Sequence, residues 1–245
     1  GDTRSASMEN LADDAVAGVQ LLSRRADIDA SKIGVMGHSQ GGWIAPLAAS
    51  RSKQVGFVIV SAAAAVTPAE QSIYHRAGVM RSQGVSDAEI EQASKLRQRL
   101  YDLNKLILAD EPFQKERASI SQELMANKDA RWFAPAELPP QLAGDLPPRG
   151  ALELLFFDPT GVWKKVRVPV LAIWGDKDTV VPVDKSRAII ERLQHETGNK
   201  RLTVVVVQGV DHGTNVVKKD AAWDFPRTSH EYLRTIVEWA QKTVI

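Results

Sequence analysis

Four short segments of the chain are mostly apolar, and each has the length of a buried β-strand. They are Lys32–Met36, Val55–Val60, Val170–Trp174 and Leu202–Val207. Short apolar runs rich in Val and Ile are typical of strands in a parallel sheet that is covered on both faces. Helix-like segments alternate with these runs, so the sequence predicts an α/β protein with a mainly parallel sheet of four strands.

A different periodicity precedes the first strand. Over Met8–Arg25, apolar residues recur every three or four positions, as on one face of an amphipathic helix. The predicted core-facing stripe consists of Met8, Leu11, Ala12, Ala15, Val16, Val19 and Leu22.

About one hundred residues, 67–165, separate the second and third strands. Thr67-Pro68-Ala69-Glu70 and Ser86-Asp87-Ala88-Glu89 both have a capping residue followed three positions later by Glu, which is typical of a helix N-terminus. The second of these helices carries an apolar stripe, and a third helix is predicted over 113–127. We therefore predict a helical region, 67–165, inserted into a core formed by 1–66 and 166–245.

The segment Gly37-His38-Ser39-Gln40-Gly41-Gly42 lies between the first strand and a helix-like run. A Gly-x-Ser-x-Gly sequence in this context is typical of a nucleophile elbow, a tight turn that presents a serine hydroxyl above the sheet. The alternative is an ordinary glycine-rich turn with a solvated serine or a bound phosphate. Neither the phosphate-binding P-loop pattern nor the Gly-x-Gly-x-x-Gly dinucleotide pattern is present.

The elbow has two conformational requirements. Ser39 must take a strained backbone conformation, and the residues two positions away, Gly37 and Gly41, must be small to avoid collision. The backbone N–H of Gln40 is then expected to point at a developing oxyanion.

Polar clusters follow the third and fourth strands, at the sheet edge where sites in open α/β proteins are built. The first cluster offers two carboxylates, Asp176 and Asp178, as the acid that would orient a catalytic base. The second contains His212 in a glycine-flanked loop, and it follows serine and acid in the order typical of this arrangement. Of the other histidines, His38 should point away from Ser39, and the remaining three occupy helix-like segments: His75, His195 and His230.

Three segments together resemble the α/β-hydrolase superfamily, in particular bacterial serine esterases and serine aminopeptidase-like hydrolases. They are the strand–elbow segment Ile28–Gly42, Trp174-Gly175-x-x-Asp178-x-x-Val181-Pro182, and Asp211-His212-Gly213. The resemblance implies that Ser39, His212 and Asp178 form a catalytic triad and that Gln40 N–H donates to the oxyanion. It also implies that residues 67–165 form a helical lid and that no metal or organic cofactor is needed.

The family also places several strands and a second oxyanion donor upstream of its nucleophile, whereas only about thirty residues precede the first strand here. Gly1–Ser5 resembles the polar loop after one of those upstream strands. We therefore expect the chain to be the C-terminal part of a longer hydrolase. Alone, it would expose a strand edge, which favours self-association or low activity.

Composition narrows the classes of function. Among the 245 residues there is no cysteine, which excludes thiol nucleophiles and disulfides, and the formal net charge of +1 indicates no nucleic-acid partner. No apolar run approaches membrane-spanning length, so we expect a soluble protein, cytoplasmic or periplasmic. Several aromatic residues are expected either to line an apolar acyl pocket or to pack in a core: Trp132, Phe133, Phe156, Phe157 and Trp163.

The predicted function is hydrolysis of small carboxylic esters through an acyl-enzyme intermediate. Two alternatives remain open at the level of sequence. One is a serine aminopeptidase or acyl-peptide hydrolase that acts on short peptides. The other is a catalytically impaired relative that acts as a binding module.

Overall fold

A computed structural model of the chain describes residues 6–140, 142, 146–217 and 226–244. Gly1–Ser5, the predicted upstream loop, lies outside the described residues. Within the described ranges, four strands form one parallel sheet in chain order. The strands are β1 (Gly34–His38), β2 (Phe57–Ser61), β3 (Val170–Gly175) and β4 (Leu202–Val207).

Helices occupy most of the remaining described chain. They are α1 (Met8–Ser23), α2 (Gly41–Arg51), α3 (Pro68–Ser82), α4 (Asp87–Leu108), α5 (Gln114–Asn127), α6 (Arg149–Leu155), α7 (Thr160–Trp163), α8 (Val183–Glu196) and α9 (His230–Val244). The predicted stripe of α1 is partly correct: Met8, Ala12 and Val19 are buried, whereas Leu22 near its C-terminus is exposed. None of the helices in the described ranges combines the length and apolar character needed to cross a membrane.

The chain divides into two compact units, one formed by residues 68–157 and the other by residues 6–67 and 158–244. The predicted insertion ended at 165, so the boundary differs by eight residues. The reason is that α7 packs with the sheet unit, where Trp163 is fully buried and its carbonyl accepts a hydrogen bond from Gln194 Nε2.

The helical unit contains α3 to α6 and has its own apolar core. The capping box predicted for α4 is present, because Ser86 Oγ accepts from Glu89 N and the Glu89 carboxylate accepts from Ser86 N. Trp132 and Phe133 are buried in this core, so they pack the helices. The cluster comprises Met80, Val85, Ile90, Ala93, Leu96, Leu103, Ile120, Leu124, Trp132, Phe133, Ala136 and Leu138.

In the sheet unit, α9 covers the face that carries Ile59, Leu171 and Ile173. Since all four strands run in the same direction, their carboxyl ends lie at one edge of the sheet. The register places His38 beside Ser61, and Ser61 beside Ile173, in one row across that edge. Polar side chains that follow the strands are therefore brought together there.

Candidate active site

Ser39 lies at the turn from β1 into α2 with φ of 52°, in the left-handed region that non-glycine residues rarely adopt. Such a conformation costs about 1–3 kcal/mol and persists only where its surroundings enforce it. Here Ser39 N donates to Ser61 O over 2.9 Å, and Ser39 O accepts from Gly42 N over 2.8 Å. Gln40 is the N-cap residue of α2.

Two glycines make the elbow possible, but only one of them was predicted. A Cβ on Gly37 would lie 1.9 Å from the backbone oxygen of Gly41, which no L side chain tolerates. A Cβ on Gly42 would lie 2.3 Å from Ala63 Cβ. The prediction for Gly41 was wrong, because nothing lies within 4 Å of a Cβ built there. The tight contacts are thus made by Gly37 and Gly42.

The structure brings Ser39, His212 and Asp178 together although they are distant in sequence. His212 Nε2 lies 3.0 Å from Ser39 Oγ, and His212 Nδ1 lies 2.8 Å from Asp178 Oδ2. A carboxylate only accepts hydrogen bonds, so Nδ1 of His212 carries the proton and Nε2 is left to accept from the serine hydroxyl. This order of donors is what proton abstraction from Ser39 requires.

Asp178 is held rigidly in the loop after β3. Its side chain is fully buried. Oδ1 accepts from the backbone N–H groups of Val180 at 2.8 Å and Val181 at 2.9 Å, and Oδ2 faces His212. These three contacts fix the orientation of the buried carboxylate.

Asp176, the rival carboxylate, has other partners. It accepts from Gly209 N and pairs with Lys177 Nζ at 2.7 Å. The hydrogen bond from Lys177 is the main reason that the pKa of this carboxyl lies below its usual value. Asp176 therefore joins the loops after β3 and β4 and does not contact the imidazole of His212.

The loop that carries His212 approaches the end of β3 closely. A Cβ on Gly175 would lie 2.1 Å from Val210 O, so only glycine permits this approach. Lys177 N donates to Val210 O over 2.9 Å, which ties the two loops together. Within the His212 loop, Asn215 N donates to Asp211 Oδ1 over 2.7 Å.

Two of the other histidines are exposed in the sheet unit, His195 on α8 and His230 at the start of α9, and His75 belongs to α3 of the helical unit. His38, however, lies against the site, with its ring centroid 5.2 Å from that of His212. Among the described residues, no group of three His, Asp or Glu side chains could hold a metal ion.

The model of the alpha/beta hydrolase family matches residues 1–222 of this chain. The chain belongs to the α/β hydrolase family. Its fold is accordingly that of the family, with an open parallel sheet of four strands in the described ranges and flanking helices. The resemblance inferred from the three motifs is confirmed.

One curated relative of this α/β hydrolase is an esterase, and solved structures of similar fold include a peptidase. Esterase EstD of Thermotoga maritima is 26% identical over 200 residues, which are 82% of this chain and 39% of that protein. The chain therefore spans well under half the length of this curated relative. The structure of DcsB in complex with its substrate analogue has a TM-score of 0.53 at 18% identity, over 100% of this chain and 75% of that one. Dipeptidyl peptidase 4 of Porphyromonas gingivalis has a TM-score of 0.51 at 11% identity, over 96% of this chain and 23% of that one.

Behind the elbow of this α/β hydrolase runs a hydrogen-bonded chain that the sequence analysis missed. His38 Nδ1 lies 2.9 Å from Ser61 Oγ, and Ser61 Oγ lies 2.9 Å from the hydroxyl of Tyr232. The Tyr232 hydroxyl donates in turn to Ile173 O over 2.9 Å. The sequence contains one indication of this chain, because Ser61 is the only polar residue among the apolar residues of β2.

The surroundings of these hydrogen-bonded side chains shift the pKa values of two of them. Burial, as the largest cause, raises the pKa of Tyr232 to about 12. Burial lowers the pKa of His38, and the charge on His212 lowers it further, while Asp178 acts in the opposite direction. Around neutral pH, Tyr232 therefore keeps its proton and His38 is mainly uncharged.

Proposed function

We propose that this protein is a serine hydrolase that cleaves carboxylic esters through an acyl-enzyme intermediate. The observation that carries the proposal is the continuous path Ser39 Oγ–His212 Nε2, His212 Nδ1–Asp178 Oδ2, with distances of 3.0 and 2.8 Å at the carboxyl ends of three parallel strands. Membership of the α/β hydrolase family and the similarity to an esterase support it.

In the first half of the reaction, His212 Nε2 accepts the Ser39 proton as Oγ attacks the ester carbonyl carbon. Asp178 holds the imidazole in the required tautomer and stabilises the imidazolium. The tetrahedral oxyanion accepts a hydrogen bond from Gln40 N–H at the start of α2, an interaction worth about 3 kcal/mol in the transition state. His212 then returns the proton to the leaving alkoxide as the C–O bond breaks.

In the second half, His212 accepts a proton from water as the water oxygen attacks the acyl carbon. The second tetrahedral species collapses with release of the carboxylic acid, and the proton returns to Ser39 Oγ. Every bond change uses the same imidazole, so no further proton carrier is required. That residues 67–165 act as a lid over this site stays a prediction.

A serine-directed fluorophosphonate probe tests the assignment. We expect covalent labelling of Ser39, located by peptide mass analysis, and loss of labelling in Ser39→Ala. Ser39→Ala should also lower kcat for ester hydrolysis by at least about 10³-fold. Ser50→Ala is the matched control, because Ser50 is in the adjacent helix α2 and donates only to Leu47 O.

Three results would contradict the proposal in whole or in part. Labelling that persists in Ser39→Ala would exclude this serine as the nucleophile, and a folded wild-type protein that is never labelled would exclude a working triad. The same protein assayed on p-nitrophenyl esters and aminoacyl anilides compares ester and amide cleavage. A higher kcat/KM for the anilides would replace the esterase assignment with a peptidase.

A further inference from the structure

The hydrogen-bonded chain that begins at Ile173 has a direction that can be derived by counting protons. A backbone carbonyl only accepts, so the single proton of the Tyr232 hydroxyl is used on Ile173 O. The Tyr232 oxygen must then accept from Ser61, which consumes the only proton of Ser61 Oγ. Ser61 can therefore interact with His38 Nδ1 only as an acceptor. His38 must carry its proton on Nδ1.

The opposite direction is unfavourable. If Tyr232 donated to Ser61, and Ser61 to His38 Nδ1, the Tyr232 and Ile173 oxygens would lie 2.9 Å apart without a hydroxyl proton between them, and Ile173 O would keep only its hydrogen bond from Ala62 N. Two acceptors at that separation, in a buried position, repel. Ser61 and Tyr232 are both about 1% exposed, so water does not relieve the conflict.

Packing alone does not enclose His38, because there is open space beside it. A cavity of about 250 Å³ adjoins its ring, with apolar walls formed by Met36, Leu233 and Ile236. The observed contacts of the ring are the hydrogen bond to Ser61 and the contact with His212, at a centroid distance of 5.2 Å and an interplanar angle of 48°.

We propose that His38 is a positioning residue for His212, held as the Nδ1–H tautomer by the chain Ile173–Tyr232–Ser61. His38 flanks the imidazole of His212, which must stay bonded to Asp178 and keep Nε2 directed at the reacting groups beside Ser39 Oγ. Shifts of about 1 Å in such groups cost up to about 10²-fold in rate. The charged and titratable groups that face His38 are His212 and Asp178, from the loops, and Tyr232, from α9.

An uncharged His38 also has an electrostatic advantage. His212 becomes a cation during acylation, and a second cation at this distance would oppose that step. Burial and the neighbouring His212 both lower the pKa of His38, which is consistent with a neutral ring. The hydroxyl of Ser61 carries no charge, so it orients His38 without attracting a proton to it.

The test combines nitrogen NMR of histidine-labelled protein with steady-state kinetics. We expect the wild-type His38 signals to show the Nδ1–H tautomer at neutral pH, and Tyr232→Phe to shift them towards a mixture. Because an Asn amide nitrogen mimics Nδ1 and a Gln amide nitrogen mimics Nε2, we expect His38→Asn to retain about tenfold more kcat than His38→Gln, with similar KM. Trp239→Phe is the control, since it removes another hydrogen bond from α9 to the sheet, the one to Thr203 Oγ1. It should change neither the tautomer nor kcat.

A wild-type His38 in the Nε2–H form, or charged at neutral pH, would overturn the proposal. Equal kcat for the Asn and Gln variants would also overturn it, because the position of the donor would then be irrelevant. The kinetic readout rests on the proposed function, whereas the tautomer is measured without substrate. A protein that shows the expected tautomer but no fluorophosphonate labelling would contradict the proposed function and leave the tautomer assignment intact.

Discussion

The closest backbone contact of the elbow gives a sharp prediction for Gly37→Ala. The added Cβ would lie 1.9 Å from Gly41 O, 2.3 Å from Gly41 C and 2.9 Å from Gly41 Cα. These are backbone atoms, so no side-chain rotation removes the overlap. Gly37 does not have a positive φ, so the expected effect comes from the collision and not from backbone conformation.

The magnitude follows from how far the chain must move. To reach 3.0 Å, the shortest separation that real Cβ atoms show, Gly41 O must shift by about 1.1 Å. Gly41 is the first residue of α2, directly after Gln40, so the shift displaces the Gln40 N–H and the Ser39 hydroxyl. We expect about a 10²-fold loss in kcat/KM and a loss of about 1–3 kcal/mol in the free energy of unfolding.

Gly41→Ala is the matched control, because the same methyl group added four residues later meets nothing within 4 Å. We expect its kcat/KM to stay within about twofold of wild type and its unfolding free energy to change by no more than about 0.5 kcal/mol. The assays are ester hydrolysis, the rate of fluorophosphonate labelling and thermal unfolding. A folded Gly37→Ala protein labelled at the wild-type rate, or equal losses in both variants, would refute the steric argument.

Two further predictions concern buried polar groups. Asp178→Asn should lower kcat by about 10⁴-fold, because an amide in this position permits the wrong tautomer of His212. Steady-state kinetics with an ester substrate measures the loss. Asp176→Asn is the control, and its kcat should fall far less. For Tyr232, folding raises the pKa of the hydroxyl from 10.0 to about 12. The protonated hydroxyl therefore contributes its full stabilisation to the folded protein below pH 10, and this stabilisation is lost as the pH rises towards 12. The difference in unfolding free energy between wild type and Tyr232→Phe should therefore narrow by about 2 kcal/mol over that window, measured by denaturant titration at several pH values, and a constant difference would contradict the raised pKa.

The existence of the four strands was predictable because apolar runs indicate buried segments. The residues at which the strands begin and end were not predictable. The first apolar run predicted a strand over 32–36, whereas β1 covers Gly34–His38. Pairing with β2 continues through His38 and Ser61, where the side chains are already polar. The hydrophobic pattern of a sequence depends on which side chains are buried. Backbone pairing between β1 and β2 continues past the last buried apolar residues, at the sheet edge where the candidate site lies.

The site was predictable to the extent that it is encoded locally. Ser39 lies in a motif whose turn requires glycine, and Asp178 and His212 follow strand ends in a recognisable order. Tyr232 has no such signal, because it meets Ser61 from 171 residues away. The sequence also could not show that a Cβ added at Gly41 would meet nothing within 4 Å. The direction of a Cβ at this position depends on where α2 begins.

The surroundings of the two imidazoles at this sheet edge support His212, rather than His38, as the proposed base. Both point Nδ1 at an oxygen within the protein, over 2.8 Å for His212 and 2.9 Å for His38. The acceptor differs: His212 faces a buried carboxylate, whereas His38 faces a hydroxyl whose proton is already donated to Tyr232. The two rings therefore make similar hydrogen bonds to acceptors of different chemistry. Together with the contact between His212 Nε2 and Ser39 Oγ, this difference supports the proposal that His212 transfers the proton and that His38 positions it.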